Sequence, residues 1–305
     1  MNKLKSIPLI LEVKPITATG EILSNLNKTV KDRAIQNGKE IFAYRIVYKS
    51  QGHKVVGYIA EPKRGKNLPC IIWNRGGNRA WGTHGPCGEI KPFTLFLGSI
   101  AAFAKAGYIV IASQYSGNEG GEGTEYHGGS EIEDVLVLHK ILKKYSRADA
   151  SRVGMFGASR GGMVCYLALA RVKWIRAIVV QAAVVNLFNQ VKNRPELKEL
   201  YKEIFGGSKE EYKKRSVVFW IDKLYKKTPI LMMHGTADWK VSVLDTLKVS
   251  ELLYKEKIPY KTIIYEGDNH SLTTNKAASI NEAINWFDRF VKNKESLPDL
   301  KLHRR

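Results

Sequence analysis

Apolar residues in this chain fall into short runs whose rhythm changes part-way along. Residues 1–40 are polar and weakly periodic, a lead-in with some helix predicted around 24–37. Two β-rich runs, 41–48 and 54–60, flank Ser50-Gln51-Gly52-His53 and predict an antiparallel hairpin. From there, short apolar runs alternate with helical patterns. Strands are predicted at 69–73, 108–113, 152–156, 177–181, 230–234 and 260–265, and helices at 93–106, 131–145, 161–171, 242–255 and 272–291. Ser130 and Glu133 have the spacing of a capping box. Ile280, Ala283, Ile284, Phe287, Phe290 and Val291 lie on one helical face.

Strand–helix alternation of this kind requires crossovers between parallel strands, with helices covering both sheet faces. The expected fold is α/β: a mostly parallel central sheet with an antiparallel hairpin at its N-terminal edge and a helical cap insertion. The domain is expected over 41–291, the cap-like insertion over 187–227 and a basic tail over 292–305.

Composition narrows the class. At 305 residues, 44% hydrophobic and 26% charged, the chain has an ordinary globular mix, which excludes disordered, collagenous and coiled-coil proteins. Three cysteines (Cys70, Cys87, Cys165), none in a C-x-x-C pair, make neither a disulfide framework nor a zinc ribbon. The first residues have two lysines, but Pro8 and Glu12 bound too short an apolar run for a secretory leader. The longest apolar stretch, 92–112, is broken at Lys105-Ala106-Gly107, which reads as a helix stop. A cytoplasmic protein with no membrane partner is expected.

The 49 Lys+Arg against 29 Asp+Glu give a net charge of +20. The excess is spread along the chain, and no nucleic-acid-binding motif organises it, so no specific nucleic-acid partner is expected. No His, Cys or Asp cluster has metal-ligand spacing, and no cofactor is implied. The glycine-rich Asn118–Thr124 stretch lacks the Lys-Ser/Thr and helix of a phosphate loop. Its Glu119 and Glu122 read as solvated loop carboxylates, with a substrate amine as the alternative partner. The charge does not set oligomeric state.

The chemistry concentrates at Gly157-Ala158-Ser159-Arg160-Gly161, a G-x-S-x-G pattern between a predicted strand and helix. A serine there sits on a sharp turn that small neighbours must allow, above a helix N-terminus that can stabilise an oxyanion. Serine is a weak nucleophile without a base. Of seven histidines, His270 follows a strand and precedes the last helix, which places it at the carboxyl rim of the sheet. His234 closes a strand and is expected to serve in local hydrogen bonding. Asp238, beyond the strand 230–234, is the preferred acid over Asp268 and Glu266, which are expected to cap the following helix or brace the loop. Ser159, Asp238 and His270 stand in the chain order of α/β-hydrolases, 79 and 32 positions apart. The N–H of Arg160 and the loop Asn74-Arg75-Gly76-Gly77-Asn78 are the candidate oxyanion donors. Phe188, Phe205, Phe219 and Trp220 of the insertion are candidate pocket walls.

These residues carry a resemblance. Gly157-Ala158-Ser159-Arg160-Gly161-Gly162, the run from Pro229 through His234-Gly235-Thr236-Ala237-Asp238 to Val241, Gly267-Asp268-Asn269-His270, and the run from Lys105 to Gly117 resemble the catalytic domain of prolyl-oligopeptidase-like serine peptidases. They are also similar to dienelactone-hydrolase and acetyl-esterase relatives. The resemblance covers roughly 41–291. It implies Ser159 as nucleophile, Asp238 as acid, His270 as base, Gly77 and Arg160 as backbone oxyanion donors, and a small peptide or ester as substrate. Three departures stand out. The family's His-Gly-Gly-Pro loop is Arg75-Gly76-Gly77-Asn78 here, the common Tyr after the nucleophile is Arg160, and the residues before Ile41 leave no room for the β-propeller of the large peptidases.

Overall fold

The computed structural model describes residues 2–77 and 90–300. Asn78, His84, Cys87 and His303 lie outside them. The chain divides into two compact units, Met1–Val153 and Gly154–Arg305.

The first unit contains α1 (Asn2–Lys5), β1 (Ile10–Ile16), α2 (Gly20–Leu23), α3 (Lys28–Glu40), β2 (Ile41–Ser50), β3 (His53–Pro62), β4 (Leu68–Asn74), α4 (Gly98–Lys105), β5 (Ile109–Ser113) and α5 (Ile132–Lys144). Its strand order is β1-β2-β3-β5-β4, antiparallel except for the parallel pair β4–β5. The predicted hairpin is β2–β3, closed at Ser50↔His53. Its turn residues Gln51 (φ 49°) and Gly52 (φ 90°) both have positive φ, the twist that matches paired strands.

Several boundaries differ from the sequence expectations. Strand β1 falls within the region read as lead-in, pairing Val13 with Ile46. The helix expected over 93–106 is two pieces, a 3₁₀ turn at Pro92–Phe96 and α4, separated where Leu97 is extended and Gly98 takes φ 62°. The capping box is not formed. Helix α5 begins after Glu131, whose buried carboxylate accepts from the backbone N–H groups of Tyr126, Gly128 and Gly129 (3.1, 2.5 and 3.0 Å). A carboxylate offers two acceptor oxygens to the turn before the helix, while the Glu133 N–H donates to the Ser130 backbone carbonyl (3.0 Å).

Strand β6 (Ala148–Ala158) leads into the second unit. There follow α6 (Arg160–Leu169), β7 (Ile175–Gln181), α7 (Leu187–Asn193), α8 (Leu197–Phe205), α9 (Lys209–Lys214), β8 (Ile230–Gly235), α10 (Val243–Lys255), β9 (Tyr260–Tyr265) and α11 (Lys276–Phe287). Strands β7, β8 and β9 run parallel, with Ile178↔Ile230 and Met232↔Thr262 in register. Ile178, Val179, Leu231 and Met232 are buried, as a strand covered on both faces requires. Parallel pairing sets the ends of β7 and β8, and the loop after β9, at one rim. Three side chains cap helices on this unit: Asn186 at α7, Ser208 at α9 and Ser242 at α10. The last helix starts at Lys276, four residues later than expected, because buried Leu272 takes φ 50°.

Candidate active site

Ser159 joins β6 to α6 with φ 56° and ψ −122°, outside the regions L-residues ordinarily occupy. Its backbone is held on both sides. The N–H donates to the Gln181 carbonyl (2.8 Å), and the carbonyl accepts from Gly162 (3.0 Å) and Val184 (3.1 Å). Strain of this kind persists only when the surroundings over-determine it. The flanking glycines are sterically required: a Cβ on Gly157 would lie 2.1 Å from the Gly161 carbonyl oxygen, and one on Gly162 would lie 2.4 Å from Cβ of Ala183.

Asp238 follows β8 in a tight turn, and its side chain is fully buried. Oδ1 accepts from the N–H groups of Lys240 (2.8 Å) and Val241 (3.1 Å). Oδ2 lies 2.7 Å from Nδ1 of His270 and 2.9 Å from Nε2 of His234. Burial pushes the carboxyl pKa up, but the hydrogen bonds from His234 and His270 outweigh it and hold the group well below its ordinary range. His270 keeps 16% of its side chain exposed, whereas His234 is fully buried with both ring nitrogens engaged. A ring occupied in this way has no nitrogen left for a further partner.

No hydrogen bond joins Ser159 Oγ to the His270 ring among the described residues. Gln181 connects them instead: its carbonyl takes the Ser159 N–H, and its Nε2 lies 3.5 Å from the His270 carbonyl oxygen. Asp268 is placed as a brace. Its two oxygens accept from the backbone N–H groups of Asn269, Thr274 and Asn275 and from the Asn275 side chain. The segments that carry Asp238 and His270 touch at Gly235, where an added Cβ would meet the Asp268 carbonyl oxygen at 2.2 Å. Ala237 N–H donates to that same oxygen (2.9 Å).

The insertion is anchored to this loop pair. Gln190 of α7 donates to the Lys240 carbonyl (2.9 Å), and Asn189 donates to Asp245 (2.6 Å). Exposed Trp239 lies 5.3 Å from the Arg194 guanidinium and 5.5 Å from Lys240 Nζ. Of the expected pocket walls, Phe188 and Phe219 meet edge to face at 5.5 Å, with Phe219 half exposed. Phe205 packs on Tyr201 and Tyr212 beneath Arg215. Trp220 is turned inward, its Nε1 donating to the Lys213 carbonyl (3.0 Å).

Arg160 opens α6, where N–H groups have no acceptor within the helix and the dipole is positive. Its side chain is buried. Gly77 belongs to the first unit and takes φ 66°. Arg75 has a structural task there. Its buried guanidinium donates to the Gln114 carbonyl (3.1 and 2.8 Å), the Gly76 carbonyl (3.1 Å) and Glu125 (2.7 Å), and lies 4.7 Å from the Tyr115 ring. Glu119 is partly buried among neighbours rather than solvated, whereas Glu122 is exposed, as expected of a loop carboxylate. Glu119 accepts from Tyr58 (2.6 Å), Arg45 (3.1 Å) and Gln114 (2.7 Å), and Glu122 from the Lys54 N–H (2.9 Å).

A profile described as the prolyl oligopeptidase family matches residues 95–294, more than half of the sequence. The chain belongs to the prolyl oligopeptidase family. Like other members of this serine peptidase family, it is a serine hydrolase of α/β fold. It is 29% identical over 245 residues to the uncharacterized peptidase YtmA of Bacillus subtilis, covering 79% of this chain and 90% of that one. Dipeptidyl-peptidase 5 of Porphyromonas gingivalis is 25% identical over 302 residues, 93% of this chain but only 42% of the relative. Among solved structures, Pyrococcus horikoshii acylaminoacyl peptidase matches with a TM-score of 0.69 at 18% identity, covering 86% of this chain and 44% of its own. A puromycin-hydrolyzing peptidase of Mycobacterium tuberculosis matches at 0.65 and 18% identity, covering 82% and 39%. This family member therefore spans under half the length of those three relatives.

Proposed function

We propose that Ser159, His270 and Asp238 are the catalytic triad of a peptidase that cleaves amide bonds of small peptides through an acyl-enzyme. The observation that carries this reading is the buried Asp238 carboxylate bonded to Nδ1 of His270, on the same rim as the strained Ser159 turn. With Nδ1–H donating to Asp238, the neutral ring presents Nε2 as acceptor, the tautomer a general base requires. Ser159 Oγ attacks the substrate carbonyl carbon as its proton passes to Nε2. The resulting oxyanion is received by the backbone N–H assigned to Arg160 at the start of α6, and His270 returns the proton to the departing amine. Water, activated by the same ring, then releases the acyl group and restores the serine. The half-exposed Phe219 against Phe188 supports an apolar side of the substrate site.

Ester cleavage is the alternative chemistry, since the same steps serve an alkoxide leaving group. A fluorophosphonate probe is expected to label wild-type protein and not Ser159→Ala. Aminoacyl or dipeptidyl anilides are expected to turn over, and turnover of short nitrophenyl esters with none of the anilides rejects the peptidase assignment in favour of an esterase. We further propose a cytoplasmic enzyme with no nucleic-acid or membrane partner. The spread of its basic residues supports this, and no helix among the described residues is long and apolar enough to cross a membrane.

A further inference from the structure

We propose that His234 is a positioning residue for the catalytic acid, a fixed N–H donor that shares Oδ2 of Asp238 with His270 and thereby sets the direction in which the carboxylate faces the base. The inference rests on the triad assignment above.

Hydrogen-bond partners determine the state of the His234 ring. Nε2 lies 2.9 Å from Asp238 Oδ2 and 3.0 Å from the Val241 carbonyl oxygen. Both are acceptors, so Nε2 carries a hydrogen. Nδ1 lies 2.7 Å from Thr246 Oγ1, whose hydroxyl supplies the donor that a neutral ring needs there. The tautomer is thus fixed from α10, one element away from the catalytic loops. Thr246 is itself buried, and its carbonyl accepts from Ser250 Oγ (3.0 Å). The other ionisable group facing the ring from α10 is Asp245, a buried carboxyl held by Asn189.

The consequence falls on Asp238. Two backbone N–H groups take Oδ1 and two imidazoles take Oδ2, which fills the roughly four acceptor directions of a carboxylate. Rotation of the carboxyl group would break several of these bonds at once. Without His234, Oδ2 keeps only His270 and gains a direction with no donor in a fully buried site. The base then loses a fixed partner, and misplacement of a reacting group by about 1 Å costs about 100-fold in rate.

Four variants of the full chain separate this role from simple packing: His234→Leu, His234→Gln, Thr246→Val and Ser159→Ala. The readouts are the second-order rate of Ser159 labelling by a rhodamine fluorophosphonate, kcat and KM on a dipeptidyl anilide, and a thermal scan. His234→Leu is expected to lower the labelling rate and kcat about 10- to 100-fold, with KM nearly unchanged. His234→Gln, whose amide places an N–H at a similar reach, is expected to recover most of that loss. Thr246→Val keeps the ring but removes the donor that fixes it, and is expected to lower kcat in the same direction by less. Wild-type labelling in His234→Leu, equal losses in the Leu and Gln variants, or a loss confined to KM overturns the proposal. Should His234→Leu not fold, an unchanged kcat in Thr246→Val overturns it. Labelling or turnover that survives Ser159→Ala removes the triad itself, a result distinct from a silent His234.

Discussion

Asp238 and His270 are joined by a 2.7 Å hydrogen bond from Nδ1 to Oδ2, between a carboxylate sealed from solvent and a ring that keeps one side open. The acceptor-only character of the ionised carboxylate makes the ring donate from Nδ1. An amide at this position offers a donor as well, and can favour the wrong tautomer. Asp238→Asn is therefore expected to lower kcat by about 10⁴-fold while KM changes little, measured by steady-state hydrolysis of an anilide.

The same bonds make a prediction about acid stability. Asp238 holds its proton less readily folded than unfolded, because its folded pKa lies below the ordinary 3.8. Its stabilising contribution is complete above the unfolded value and is lost as pH falls through the folded one. Wild-type melting temperature should fall more steeply than that of Asp238→Asn on acidification below about pH 4. Parallel curves for the two proteins across this range would refute the linkage.

Ser159 is strained as well as being the proposed nucleophile, and the two properties are separable. Ser159→Ala should abolish turnover while leaving the melting temperature near wild type, because the backbone bonds to Gln181, Gly162 and Val184 remain. Ser159→Gly should be equally inactive but more stable, by about 1 kcal/mol, since glycine tolerates φ 56° without a Cβ penalty. Chemical denaturation of the pair measures the difference.

Gly235 holds the acid and base loops in contact, and it should tolerate no side chain. A Cβ at 2.2 Å from the Asp268 carbonyl oxygen must push against backbone already fixed by the hydrogen bond from Ala237. Gly235→Ala is expected to destabilise the protein by about 2–4 kcal/mol and to lower kcat in whatever fraction folds. Denaturant melts and the kcat of refolded protein test both parts.

Local signals made much of this arrangement legible. The Ser159 turn follows from glycines whose steric need is local, and the ends of β8 and β9 could be read from apolar runs. The order Ser159, Asp238, His270 came from the same string, and the position of Asp238 beyond β8 already made it the preferred carboxylate partner of His270. Long-range partners left no such trace. Arg75 reads as a substitution in a loop motif, yet its task is a buried pair with Glu125, fifty residues away. Glu119, read as solvated, is bound by Arg45 and Tyr58 from two other strands. Strand β1 was missed because its residues alternate poorly and include Pro15, and pairing with β2 supplies what its own pattern lacks. Ser130 had the right spacing for a cap, but the Glu133 N–H goes to its backbone carbonyl rather than its hydroxyl, and the buried Glu131 carboxylate fixes the turn before the helix.

Trp239 stands beside the acid with 69% of its surface exposed and the Arg194 guanidinium over its ring. An indole next to a cation emits differently from one in open water, and Arg194 follows α7 within the insertion. Displacement of that segment from the Asp238 loop takes the Arg194 charge off the ring and leaves only that of Lys240. In a variant whose five other tryptophans are replaced by phenylalanine, Trp239 emission would thus report how closely the 187–227 segment sits against the Asp238 loop, with no dye attached.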